Sequence, residues 1–431
     1  MNKKINSPLE HHQLITEKYG KHFCAAPWNS LHEGPNGLVS TCCKTREPIG
    51  WSHKQSFEEM YNSDHAKNVR SQFLRGEKPS QCIECWQQEE SGYPSSNRIT
   101  SNNYGRKTID ELVEATSPDG TLSMHKPEWL DLLWTNKCNF ACLGCSPDLS
   151  STIHTKYKND FAILNGKNPE NYGSNTVLWN NKNKNKIDYI INHSDTIKYI
   201  HLNGGEPFMQ EDIYELLEEM LKRNLHKKIV IWTHTNGSIT KSYKGVDIIN
   251  DYLVHWGDMA RVVMSNDGNG ERGEYIRYGY KDAKWLETFN KIKETKINLK
   301  IQTCYNVFNA LVIDDIGEWF YDTCGPTQMG SLTLWLNDTI NVRMLNLLPE
   351  LKEIAINKLE KILKNKKHPL KWSDSIPGNI AWLKKDVEIL DWQIKAFYNG
   401  IVGLDISRKT DFLKTFPELE SFYNTAKLIS T

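Results

Sequence analysis

Three thiols stand at C-x3-C-x2-C spacing in LLWTNKCNFACLGC, as Cys138, Cys142 and Cys145. Clustered thiols in a reducing compartment hold a soft metal or do redox work. Structural zinc normally closes with four ligands, whereas a [4Fe–4S] cluster on three thiolates keeps one iron open to a further ligand. Spacing alone also allows zinc with a distant fourth ligand. A second set, Cys24, Cys42, Cys43, Cys82 and Cys85, lies in FCAAPWNSLHEGPNGLVSTCC and QCIECW. It supplies four thiols for either structural zinc or a fully ligated iron–sulfur cluster, because neighbours on an extended strand face opposite sides and one of Cys42 and Cys43 must point away. Cys304 and Cys324 stand apart and read as small buried hydrophobes.

These residues need a scaffold, and the hydrophobic pattern predicts one. Short β-rich runs fall at 129–134, 198–203, 228–233, 260–264, 298–303 and 331–336, alternating with amphipathic helical stretches. The fold class expected is α/β, a partial (β/α)6 TIM-like barrel. In EDIYELLEEMLKRN, Ile213, Leu216, Leu217 and Met220 share one helical face that packs on a sheet. The Asn- and Lys-rich stretch 151–197, with NNKNKNK at 180–186, reads as a solvated excursion between the first two strands. Three domains are expected: 1–110, small, loop-rich and metal-stapled, with one helix across SFEEMYNSDHAKNVRSQFLRG; 111–340, the barrel; and 341–431, helical. In the last, Leu351, Ala355, Leu359 and Ile362 form one stripe and Trp382, Leu383, Val387, Leu390 and Ile394 another, while Arg408 and Asp411 read as exposed cap or salt-bridge residues.

The bulk properties exclude several classes. Across 431 residues, 53 basic and 53 acidic side chains cancel, so a polyanion-coating protein is not expected, and the basic LKNKKHPLK is weak support for nucleic acid. No run approaches the roughly 20 apolar residues of a membrane span, and MNKKINSPLEHHQLITEKYG has no apolar signal-peptide core, so a cytoplasmic protein without membrane contact is expected.

Several motifs sit where predicted strands end, the face on which βα barrels build their sites. HLNGGEP follows the second strand, THTNGS the third, MSNDGNG the fourth and TCYNVFN the fifth. Glycines let a backbone approach a ligand closely, and a carboxylate accepts hydrogen bonds from an ammonium. The three-cysteine loop followed one strand later by Gly204, Gly205 and Glu206 is similar to that of the radical S-adenosylmethionine (radical SAM) enzymes, whose open iron binds the amino and carboxylate groups of SAM. That resemblance implies that Cys138, Cys142 and Cys145 hold the catalytic cluster and that Gly204, Gly205 and Glu206 contact the methionine end of SAM. It makes Ser265 and Asp267 candidate ribose contacts, with Asn306 a weaker candidate of the same kind. Family members often carry an aromatic residue before the third cysteine; here it is Gly144, with Phe140 a substitute or packing beneath the loop.

The first domain resembles the SPASM/twitch auxiliary-cluster domains of the same enzymes, through a Cys before Pro-Trp, a Gly-x-Val-x-x-Cys hairpin, a helix ending near Arg and a closing Cys-x-x-Cys. The resemblance implies an auxiliary [4Fe–4S] cluster on Cys24, Cys42, Cys82 and Cys85, placed before the barrel where most relatives have it after. The implied activity is reductive cleavage of SAM to a 5′-deoxyadenosyl radical that takes hydrogen from a substrate, with a peptide or protein side chain, a small metabolite or a nucleotide among the family's substrates and a flavodoxin or ferredoxin as electron donor. Two other readings are a metal-stapled binding protein with zinc or an inert cluster and no catalysis, and an iron–sulfur electron-transfer or sensing protein.

Overall fold

The computed structural model describes residues 7–34, 36–45, 47–90, 95–104, 109–173, 184–242, 244–325, 329–334, 340–365, 372–385 and 387–431. Its strands in chain order are β1 Ser30–Glu33, β2 Leu38–Ser40, β3 Gly50–Trp51, β4 Trp129–Leu133, β5 Ala141–Cys142, β6 Tyr199–Asn203, β7 Val230–Thr235, β8 Ala260–Ser265, β9 Arg277–Tyr278, β10 Asn298–Tyr305 and β11 Met329–Leu334. β4, β6, β7, β8, β10 and β11 fall on the six runs that the hydrophobic pattern picks out, and the fold class is α/β. The chain divides into two compact units, residues 1–135, 179–204 and 212–232 in one and 136–178, 205–211 and 233–431 in the other.

In the first unit β4 is parallel to β6 on one edge, with Leu130 opposite Ile200, and parallel to β1 on the other, with Leu130 opposite Leu31. β1 turns back antiparallel into β2, and β2 into β3. The cysteine-rich part therefore continues the parallel sheet through β1. The amphipathic helix Glu211–Lys222 buries Ile213, Leu216, Leu217 and Met220, the face its spacing defines. The single helix expected across 56–76 is two, Phe57–Tyr61 and Asp64–Leu74, because Ser63 leaves helical conformation and its hydroxyl accepts from Ala66 N at 3.3 Å. Buried Arg70 secures the break, donating to Tyr61 O at 2.5 Å, Asn62 Oδ1 at 3.0 Å, Pro27 O at 3.1 Å and Gly120 O at 2.8 Å. The stacked rings of Phe23 and Trp28, beside Phe73, form the core beneath.

In the second unit β8 and β10 run parallel, with Val262 opposite Leu299, and β10 is parallel to β11. The stretch after the cysteine loop is not the solvated excursion expected: residues 153–164 are helical and bury Ile153, Phe161, Ala162 and Leu164. Their partner is the helix Asp391–Arg408, where a side-chain carbon on Gly400 would lie 2.5 Å from Leu164 Cα. The other part of the excursion holds a helix, Lys184–Asn192, in the first unit, while 180–183 of NNKNKNK and 366–371 of the basic link lie outside the described residues. Leu351, Ala355, Leu359 and Ile362 are buried along Pro349–Lys364 as their spacing predicts. The second expected stripe does not exist as one helix. Trp382 and Leu383 end one helix, Ile394 belongs to the next, and Leu390 in the connection is 46% exposed.

Candidate functional site

The cysteine loop, in the second unit, is pinned along its length. Ser151 Oγ accepts from Cys138 N at 3.1 Å, Thr152 Oγ1 donates to Cys138 O at 2.7 Å and Ser150 Oγ donates to Phe140 O at 2.6 Å. β5 pairs antiparallel with β9, placing Cys142 opposite Arg277, and Leu143 N donates to Ile276 O at 2.9 Å. From the helical end of the chain, Arg408 Nη2 donates to Ala141 O at 2.7 Å. This buried guanidinium lies 4.7 to 5.3 Å from the ring centroids of Tyr278, Tyr157 and Phe161, so the expectation of an exposed Arg408 is overturned. Asp411, by contrast, does cap a helix, accepting from Lys414 N at 3.0 Å.

No disulfide joins Cys138, Cys142 and Cys145. Burial pushes all three thiols up, with their mutual repulsion adding for Cys138 and Cys145, the latter to about 12. Donors nevertheless face two of the sulfurs: Phe140 N lies 3.4 Å from Cys138 Sγ and Arg277 Nη1 3.8 Å from Cys142 Sγ. Crowded, desolvated thiols with N–H groups aimed at sulfur suit thiolates whose charge a metal centre neutralises, so the donor set fits an iron–sulfur cluster. Phe140 packs against Gly279, whose added carbon would lie 2.6 Å from its ring, and is 1% exposed.

Gly205 and Glu206 rest directly on this loop. Gly205 adopts φ +48°, and a Cβ there would lie 2.3 Å from Lys137 O, the residue before Cys138. Glu206 N donates to the same carbonyl at 2.8 Å. The Glu206 carboxylate is 1% exposed and accepts from Phe208 N at 3.1 Å, Thr235 Oγ1 at 2.7 Å and Asn236 N at 2.7 Å, while burial pushes it up to about 7. Asn236 Nδ2 in turn donates to Asn139 Oδ1 at 3.0 Å, and Asn139 Nδ2 to Ser238 Oγ at 3.0 Å. Through Glu206 the turn after β7, THTNGS, is thus fastened to the cysteine loop. In the first unit Gly204, at φ +83°, sits where a Cβ would be 3.0 Å from both Leu133 Cα and Thr135 O.

The strand-end residues differ in what they leave available. Ser265 ends β8 half-buried, opposite Gln302. Asp267 is fully buried, paired with Arg277 Nε at 2.8 Å and accepting from Cys304 N at 2.7 Å. Asn306 is also fully buried, donating to Cys304 O and accepting from Phe308 N, each at 2.9 Å. Asp267 therefore acts on the loop through Arg277, a residue that sequence reasoning passed over although a lone arginine between tyrosines in YIRYGY is a signal. A cavity of about 530 Å³ opens beside β9, lined among others by Glu274, Tyr278, Lys281, Lys409 and Lys414.

In the first unit Cys24, Cys42, Cys82 and Cys85 line one cavity of about 20 Å³ with Phe73, Trp86 and Arg98. Cys43 is exposed and outside it, its sulfur 3.6 Å from Asn97 Nδ2. Burial pushes the four cavity thiols up, Cys24 to about 11, and Lys44 N faces Cys42 Sγ at 3.4 Å. Four converging thiols fit a fully ligated cluster or zinc by chemistry alone. The same unit holds a polar network that sequence reasoning missed: Asp131 of β4 meets His32 Nδ1 at 2.9 Å, His201 Nδ1 at 3.2 Å and Asn203 Nδ2 at 2.8 Å. Burial alone would raise the Asp131 carboxyl, yet His201 and His32 hold it below the ordinary range. The signal was the lone aspartate inside the apolar run WLDLL and the alternating polar residues of YIHLN.

Among the described residues no helix is long and apolar enough to cross a membrane. Residues 130–255 match the 4Fe-4S single cluster domain family, and residues 24–86 match an iron–sulfur cluster-binding domain, SPASM. No curated protein matches the chain. Similar solved structures include native anSMEcpe with bound AdoMet, at 16% identity and TM-score 0.35 over 53% of this chain and 58% of that one. The same protein with bound AdoMet and Cp18Cys peptide gives 16% and 0.35 over 57% and 59%. Streptococcus suis SuiB bound to precursor peptide SuiA gives 14% and 0.35 over 72% and 65%. The chain spans under two thirds of the length of each. Each of the two matched families takes in one of the two cysteine sets, and the chain accordingly carries two iron–sulfur cluster-binding regions, a 4Fe-4S single cluster domain and a SPASM domain.

Proposed function

We propose that the protein is a radical SAM enzyme acting on a peptide or protein side chain. The observation that carries this reading is the seating of Gly205 and Glu206 N on Lys137 O, which locks the glycine turn to the three-cysteine loop. When bound there, a [4Fe–4S] cluster supplies the electron that splits SAM into methionine and a 5′-deoxyadenosyl radical, which takes hydrogen from the substrate. Cys138, Cys142 and Cys145 are its ligands in this reading, with Phe140 N and the Arg277 guanidinium as sulfur-facing donors. Gly204 and Gly205 bring backbone close to the methionine end of SAM, and Glu206, its carboxylate taken up by protein donors, acts there by fixing the turn. Ser265 offers its hydroxyl to the ribose, while Asp267 and Asn306 hold the strand ends that frame it. Cys24, Cys42, Cys82 and Cys85 bind the auxiliary cluster in the domain spanning 1–110, ahead of the barrel of 111–340 and the helical part from 341 on. A charged, tyrosine-containing cavity beside β9 suits a polar peptide better than a hydrocarbon.

The test is iron and acid-labile sulfide per chain after anaerobic reconstitution, with zinc counted alongside, followed by an assay for 5′-deoxyadenosine under a low-potential reductant such as reduced flavodoxin. About eight irons, falling to about four in a Cys138/Cys142/Cys145→Ala variant that no longer releases 5′-deoxyadenosine, is the expected result. Zinc in place of iron in both proteins would leave a metal-stapled binding protein instead.

A further inference from the structure

Away from both cysteine sets, three residues from separate elements of the first unit converge. Glu58 lies in the helix Phe57–Tyr61, His125 in the segment entering β4, and His193 just past the helix Lys184–Asn192. One ligand-type atom from each lies within 4.8 Å of the other two. Glu58 Oε1 and His193 Nε2 are 3.4 Å apart, already close to the about 3.3 Å that separates two ligands of a tetrahedral zinc with bonds of about 2.0–2.1 Å.

His193 is oriented as a ligand is. His193 Nδ1 lies 3.0 Å from Tyr189 O, and since a carbonyl can only accept, the proton sits on Nδ1 and leaves a lone pair on Nε2, the nitrogen facing Glu58. His125 Nε2 bonds the Tyr189 hydroxyl, while its Nδ1 is buried and meets no polar partner among the described residues. One tyrosine therefore engages one nitrogen of each histidine, and the other nitrogen of each carries no competing bond stronger than the 3.4 Å approach to Glu58. Tyr61 and Tyr189 pack on the two rings, with centroids 4.0 Å from His125 and 4.2 Å from His193, which fixes their tilt.

We propose that Glu58, His125 and His193 form a binding site for a borderline divalent cation of the zinc class, with water completing the coordination on the exposed Glu58 side. Two imidazoles and a carboxylate are a nitrogen-and-oxygen set that suits zinc and excludes an iron–sulfur cluster, so the site is chemically distinct from both cysteine sets. Its effect is structural, tying the helix ending at Asn192 to the segment that enters β4 and to Phe57–Tyr61. The inference does not depend on the proposed activity.

The experiment titrates Zn²⁺ against a chromophoric chelator into anaerobically reconstituted protein, whose thiols are occupied, for the wild type, Glu58→Gln and His193→Gln. Both positions are partly exposed, so folding is retained, and iron per chain serves as the check. One zinc equivalent present in the wild type, and weakened at least tenfold in each variant, is the expected result. A Co²⁺-loaded wild type should show no sulfur-to-cobalt charge-transfer absorption. Equal zinc affinity in all three proteins, or a thiolate signature in the cobalt spectrum, overturns the proposal.

Discussion

Replacing Gly205 by alanine tests whether the glycine turn and the cysteine loop form one mechanical unit. The new methyl carbon would start 2.3 Å from Lys137 O and 2.8 Å from the carbonyl carbons of Asn136 and Lys137, all backbone atoms that cannot rotate away. Three costs combine: about 1–2 kcal/mol for a left-handed residue other than glycine, about 1–3 for overpacking, and about 1 for loosening the bond from Glu206 N to Lys137 O, or about 3–6 kcal/mol together. Relief requires Lys137 to retreat by about an ångström, and Cys138 moves with it. Gly245→Ala is the control, since Gly245 also has positive φ, +83°, but nothing within 4 Å of the added carbon, so only the conformational cost of about 1–2 kcal/mol applies. Thermal midpoints of both variants, with iron per chain after anaerobic reconstitution, make the comparison. Gly205→Ala should melt well below Gly245→Ala and lose iron from the Cys138 set. Equal melting with full iron content would refute the reasoning.

For Glu206, burial raises the folded carboxyl from 4.5 to about 7, so the native state keeps a proton that the unfolded chain releases. Stability on this account is greatest below pH 4.5 and declines as pH rises to about 7, by about 3 kcal/mol, and Glu206→Gln removes that decline; parallel pH–stability curves for the two proteins would contradict it. Cys42→Ser should cost about four irons per chain on reconstitution and Cys43→Ser none, because only Cys42 lines the cavity; equal losses would place the ligand elsewhere. In the metal-free chain Arg408→Met is expected to be neutral or stabilising by about 1–4 kcal/mol, since the buried guanidinium meets rings and a single carbonyl with two nitrogens unbonded. A melting midpoint many degrees lower would reveal a partner for that charge.

What could be read from the residues was what local pattern controls. The six β-rich runs announce themselves by composition, and the glycine pair after the second was identified by its resemblance to a family motif in which glycines let the backbone approach a ligand closely. What escaped was non-local. Ser30–Glu33 is a short polar-interrupted strand whose partner lies about a hundred residues on, and no periodicity reports such a pairing. Asp267 looked like a ligand contact because its motif does; its buried pairing with Arg277 depends on a two-residue strand, β9, too short to predict. Ser63 is a good helix cap, yet the amphipathic pattern on both sides of it concealed the break. Arg408 was assigned to solvent on the general habit of arginines, whereas Gly400 allows its helix to lie against Leu164 and brings the side chain under the cysteine loop.

The parallel pairing of β1 with β4 bears on how the chain can be assembled. An unpaired strand edge is a template for other chains, and β4 is a nearly continuous apolar strand whose second edge is covered only by Ser30–Glu33. A chain begun at residue 111 would therefore expose that edge and be prone to aggregate, however complete its remaining strands. In synthesis, β1 emerges long before its partner, so the amino-terminal segment must stay unsatisfied along one side until β4 appears. The change of composition after the cysteine-rich part is thus a poor place to cut.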